Sequence, residues 1–269
     1  RKIGEIWGYE TDGYYTINDF NADDAKHKTW TLKEGVVKIN GYNPQPGDVK
    51  FKDLRPDGVI NAGDNTVDNP GDRKIIGNDA ARYQFGISLG ASYKGWSLEV
   101  LLQGVGKRDY WLGGPAMFPF GGAGAGDAVF QALYANQTDY WRAKSYDPSS
   151  SDYMVPVNPD SKLFRIYDQG NNVGSNTRVS DKYLQNAAYM RIKNITLAYT
   201  LPKEWVRRAF IQDAKFYLSI ENLATFSSLP KGYDPEGTAP SSTANALSNG
   251  ISWGYPYYRT ISLGASITF

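Results

Sequence analysis

The stretch from Tyr257 to Phe269 restricts this chain more than any other. From Ile261 onward each odd position is apolar (Ile261, Leu263, Ala265, Ile267, Phe269) and each even one is small or hydroxylated (Ser262, Gly264, Ser266, Thr268). That is the period of a strand with one oily and one polar face. A strand of about 10 residues that stops on an aromatic, with Tyr257 and Tyr258 at its other end, has the length and flanks of one crossing a bilayer in a closed barrel. Strands of a soluble sandwich alternate in the same way, so this stretch alone leaves both architectures open.

The same period recurs upstream. Phe85, Ile87, Leu89 and Ala91 oppose Gln84, Gly86, Ser88, Gly90 and Ser92; Lys94-Gly95 reads as a two-residue hairpin turn. Beyond it Trp96, Leu98, Val100 and Leu102 resume the oily face against Ser97, Glu99 and Gln103, with Leu101 an apolar exception on the polar face. A third run alternates over Asn194 to Leu201 and is ended by Pro202, and a short connection, Lys203 to Arg208, leads to Phe216, Leu218 and Ile220.

These runs divide the chain into 1–80, a region of loop and short strands crowded with turn formers such as Pro46-Gly47 and Pro70-Gly71, and 81–269, with strands expected over about 83–93, 96–105, 189–201, 215–223 and 257–269. Long loops fall at 106–186 and 224–256. The connections therefore alternate: two-residue turn, long loop, short connection, long loop. Membrane barrels sort short turns to one side and long loops to the other, whereas a sandwich has no reason to. The expected fold is all-β, an antiparallel transmembrane barrel with long extracellular loops. A secreted or surface β-sandwich that binds glycan is the alternative.

Composition removes other classes. With no Cys and a single His, His27, the chain has no disulfide, no thiolate nucleophile and no multi-histidine metal centre. A net charge of +1 provides no basic field for nucleic acid. No run of 18 apolar residues exists, so a membrane helix is excluded, while a mean hydropathy of -0.50 is compatible with alternating barrel strands diluted by polar loops. Gly86-Ile87-Ser88-Leu89-Gly90 spells a hydrolase pattern but lies within a strand with the His upstream, and the glycines of 121–126 lack a dinucleotide spacing. No enzyme is expected.

Several residues are candidates for contact with a ligand. Arg108, Asp109, Tyr110 and Trp111 join charge to stacking surface at what would be the outer mouth, and Glu99 and Glu221 lie on polar strand faces that could line a lumen. Asp53 to Asp64 has the spacing of a calcium loop, with Asp53, Asp57, Asn61 and Asp64 as oxygen donors and Gly58 at the turn. Arg55 stands where a further ligand belongs and opposes a cation, so a plain Asx-rich turn is the competing reading.

Several blocks resemble, in order, the C-terminal portion of the SusC/RagA family of TonB-dependent outer-membrane transporters of Bacteroidota. They are Arg82-Tyr83-Gln84-Phe85-Gly86, Leu102 to Trp111, Tyr183 to Asn194, Ile220-Glu221-Asn222-Leu223 and Lys231-Gly232-Tyr233-Asp234-Pro235-Glu236. The resemblance implies an outer-membrane importer of glycans or peptides whose barrel of about 22 strands holds a plug. It also implies a TonB complex that energises uptake, a SusD-like lipoprotein partner and surrounding outer-membrane lipid. Plug and TonB box are then expected upstream of Arg1, and this chain is expected to supply five of the barrel strands.

Overall fold

The computed structural model describes residues 2–21, 30–113, 117–118, 133, 135–166, 173–237 and 257–269. His27, the glycines of 121–126 and much of the expected loop 224–256 lie outside these residues. The strands are β1 (Glu5–Tyr9), β2 (Thr11–Tyr14), β3 (Val49–Phe51), β4 (Arg73–Asn78), β5 (Arg82–Tyr93), β6 (Trp96–Lys107), β7 (Asp109–Trp111), β8 (Leu184–Asn186), β9 (Tyr189–Thr200), β10 (Asp213–Ser227) and β11 (Thr260–Thr268). Two short α-helices are described, α1 (Val173–Asn176) and α2 (Lys203–Val206), besides short 3-10 turns, and no helix among the described residues is long and apolar enough to cross a membrane. The chain divides into two units, one drawn from Arg1–Asp79 and Tyr110–Gln185, the other from Ala80–Asp109, Asn186–Ala239 and Trp253–Phe269.

The first unit differs from the expectation that 1–80 is loop and short strands without a packed interior. Its core joins Ile6, Tyr9, Tyr14, Val49, Phe51 and Ile60 to Trp111, Phe118, Trp141, Leu163, Phe164 and Tyr183. Stretches before and after the β5–β6 hairpin thus bury one another. The signal is absent from the sequence because the strands are three to six residues long, too short for a period to show, and Phe118, Trp141, Phe164 and Tyr183 of the core lie outside strands altogether. β1 pairs with β4 and β2 with β3, both antiparallel. Glu10, between β1 and β2, receives Lys52 and Lys74; hydrogen bonds from these ammonium groups hold its carboxyl down to about 2. Polar groups are buried with partners: Asn176 Nδ2 donates to Asp48 Oδ1 at 2.7 Å and its Oδ1 accepts from the Val49 amide at 2.6 Å.

The second unit is a five-stranded antiparallel meander in the order β11-β10-β9-β6-β5. Lys94 and Gly95 make the hairpin turn, both at positive φ (46° and 87°), as the tight turn between twisted strands requires. Phe85, Ile87, Leu89, Trp96, Leu98, Val100, Leu197, Phe216, Leu218, Leu263 and Ile261 fall on one face through the cross-strand pairs Ile87↔Leu102, Leu98↔Leu197 and Leu218↔Leu263. A bulge interrupts the register: Asn194 pairs with Glu221 and Ile192 with Ala224, so Lys193 of β9 lies opposite Asn222 and Leu223, with Asn222 at φ 51°. Beyond the bulge the parity of β9 inverts, and Ile192 and Met190 turn oily while Arg191 and Tyr189 join the polar face.

Candidate functional site

The polar face of the meander is built by β9 and its neighbours. Asn194 Nδ2 donates to Ser219 Oγ at 3.0 Å, Thr196 Oγ1 donates to Asn194 Oδ1 at 2.9 Å, and Thr196 and Ser219 hydroxyls lie 3.2 Å apart. Gly264 admits the Tyr217 ring directly above it: a Cβ there would lie 2.2 Å from Tyr217 Cζ. Glu99 pairs with Thr196 and Glu221 with Asn194, so both carboxylates occupy this face, exposed, on opposite sides of β9.

At the end of the sheet away from the hairpin, this face carries a cluster of charges. Arg191 is 2% exposed, yet its Nη2 donates to both oxygens of Asp234 at 2.7 and 2.8 Å and its Nε to Thr225 Oγ1 at 2.8 Å. Glu236 Oε1 lies 3.2 Å from Arg191 Nη1, close enough for charge pairing though not aligned for a hydrogen bond, and Glu236 Oε2 accepts from Lys193 Nζ at 2.9 Å. The Tyr257 ring faces both cations, at 5.1 Å from Arg191 and 4.4 Å from Lys193. Burial works to raise the Asp234 pKa, but the amides of Glu236 and Tyr257 and the Arg191 guanidinium outweigh it and hold the carboxyl below its ordinary value. Two cations and two carboxylates balance, which is what allows a guanidinium to be buried here. The cluster fastens 231–237 and Tyr257 to the sheet. The sequence shows cations at 191 and 193 and carboxylates at 234 and 236, but nothing in their spacing shows that they meet.

The candidates at the outer mouth are placed differently from the expectation. Tyr110 and Trp111 are 1% exposed, and Trp111 packs on Phe118 in the first unit's core, so neither presents a surface to a solute. The Trp111 ring is part of the apolar payload that closes a core assembled from short elements. Arg108 is buried as well and donates Nη1 to the Pro235 carbonyl at 3.2 Å; Asp109 is half-buried at the start of β7.

The Asp53–Asp64 loop is organised by a residue outside it. Asp72, fully buried, accepts from the amides of Leu54 (3.0 Å), Arg55 (3.1 Å) and Asn61 (2.8 Å). Asp53 accepts from the Gly58 amide, Asp57 from Val59, Asn61 from Gly63, and Asp64 from the Asn69 side chain, while Arg55 Nη1 donates to Asn69 Oδ1. Each expected donor thus serves a local turn, and among the described residues no group of three or more His, Asp or Glu gathers to hold a metal.

The opposite face is oily and exposed, with Ile261 65% and Leu263 83% accessible. Four aromatics cross it in one row near the hairpin, through the pairs Tyr93↔Trp96, Trp96↔Tyr199 and Tyr199↔Phe216; the Trp96 and Tyr199 centroids are 4.7 Å apart. A second row, Phe85-Gly104-Met190-Phe226, runs across the far end. Phe85 to Tyr93 is a run of about 27 Å along the strand, or about 20 Å at a tilt of ~40°, with rings extending it at both ends toward an apolar band about 25 Å tall.

No protein family's sequence profile matches the chain. Individual proteins do: it is 26% identical to TonB-dependent receptor P3 of Formosa agariphila over 272 residues, covering 99% of the chain, and 24% identical to TonB-dependent receptor P26 of the same organism over 244 residues. The chain is a relative of the TonB-dependent receptors. It spans 22% of the length of each of these two receptors. Among solved structures, a chain of the RagAB peptide importer in its open-open state superposes with a TM-score of 0.50 at 18% identity, over 98% of this chain and 22% of that one. The resemblance to this class of receptor expected from the sequence is thereby met, and the place of this receptor relative is the outer membrane.

Proposed function

We propose that the chain is the C-terminal arc of a TonB-dependent outer-membrane importer, a closed barrel of about 22 strands around a plug. It would take up peptides or glycans with a SusD-like lipoprotein, energised by the TonB complex. The two-faced meander carries this reading: an oily, exposed face bounded by an aromatic row near the hairpin and by Phe85 and Phe226 at the far end, backed by a face of hydroxyls and amides. Lipid suits the first face and a watery lumen the second. β5 and β11 are the edges of the sheet, and the reading supplies their neighbours from the rest of the polypeptide. A sandwich would cover Ile261 and Leu263. The RagAB description makes peptides the first solutes to test.

The test uses the full-length protein, cysteine-free elsewhere, with single cysteines at Leu98 or Leu263 on one face and Ser219 or Ser262 on the other. Membrane-impermeant maleimide added from both sides is expected to modify the two serine positions and spare the two leucine positions, which lipid-borne nitroxides should quench instead. Leucine positions shielded from both reagents would return the chain to the sandwich.

A further inference from the structure

Resting on the membrane reading, we propose that the hairpin end of the oily face holds an anionic glycerophospholipid, its acyl chains in a groove and its phosphate against a cationic connection. The groove, about 590 Å³, is lined by Trp96, Leu197, Tyr199, Phe216, Leu218 and Leu263. It is an open groove on the exposed oily face rather than an enclosed cavity. Immediately beyond the ends of β9 and β10 comes the connection that carries Lys203, Arg207 and Arg208, with Lys94 on the neighbouring hairpin.

Among the described residues none of these four cations makes an ion pair. Glu204 and Asp213, the carboxylates beside them, leave a positive balance. The connection is held in place rather than trailing: Val206 is buried, the Trp205 and Val206 amides donate to the Pro202 carbonyl, and the Gln212 amide donates to Thr268. Lys203 and Arg207 line a second recess with Gln212 and Asp213. Trp205 and Phe210 stand exposed beside the cations, the placement of side chains that settle at a headgroup level. A soluble anion would leave the apolar groove empty, and an uncharged lipid would leave the cations unanswered. A lipid with a net negative headgroup answers both.

The experiment reconstitutes the full-length receptor into vesicles with equal amounts of phosphatidylglycerol and phosphatidylcholine, then counts retained lipids by native mass spectrometry. Phosphatidylglycerol is expected to be retained about tenfold over phosphatidylcholine, with the preference falling at high salt. In the triple variant Lys203→Gln, Arg207→Gln, Arg208→Gln the preference should disappear; these exposed side chains leave folding intact, which insertion checks. Equal retention by the wild type, or an undiminished preference in the triple variant, overturns the lipid site alone. Failure to insert into any vesicle overturns the membrane reading and this proposal together.

Discussion

Arg191 can sit buried in a strand only because 231–237 returns to it. Leaving a buried charge without its partner costs about 3–5 kcal/mol, more than any exposed ion pair contributes. Asp234→Asn in the full-length protein is therefore expected to cost about 3 kcal/mol locally, read as faster amide exchange across 231–237. The effect depends on pH with a definite sign. A carboxyl held below its ordinary value of 3.8 stabilises fully above that value, and this contribution is lost as pH falls through the lower folded value. Wild-type protection at 231–237 should fall below pH 3.8 while Asp234→Asn shows a flatter profile. Identical profiles would show that the pair contributes nothing. The sequence displayed the charges but hid their meeting, because the bulge that turns Arg191 onto the polar face leaves no period to read.

Strands and their pairing were the most legible part. In Phe85 to Tyr93 and Ile261 to Phe269 the alternation is unbroken, so each face declares itself. In β9 it is legible only from Asn194 on, the bulge having inverted the parity before it. Glycines within these strands differ in what they permit. A Cβ at Gly104 would lie 2.5 Å from the Tyr189 carbonyl oxygen, a backbone atom that cannot move without breaking the β6–β9 ladder. At Gly264 the obstacle is the outer end of the Tyr217 ring, which can swing aside. Gly104→Val is expected to destabilise the full-length protein by about 3 kcal/mol and Gly264→Val by about 1 kcal/mol, measured as shifts in the heat-dependent gel mobility of the folded protein. Equal shifts, or the reverse order, would contradict the contact geometry.

The two units were unequally visible as wholes. Loop sorting pointed to a membrane wall, but the core of the other unit is drawn from stretches separated by the hairpin, and pairings of that range have no local signature. Asn176 shows the dependence most directly, since it satisfies Val49 and Asp48 from 127 and 128 residues away. Asn176→Ala leaves a buried amide and a buried carboxylate short of a partner, at about 2–4 kcal/mol. Exchange at Val49 should accelerate while that of the β9 and β10 amides is unchanged; acceleration throughout both units would show that they unfold as one.

Those long separations also set an order in time. A hairpin such as β5–β6 closes in about 1–10 μs once synthesised. The first unit must wait: Thr11 is tied to Asp181, 170 residues along the chain, so its aromatic core stays open until that later stretch has been made and exported. During this interval Trp111, Trp141 and Phe164 are exposed to whatever surrounds the nascent chain.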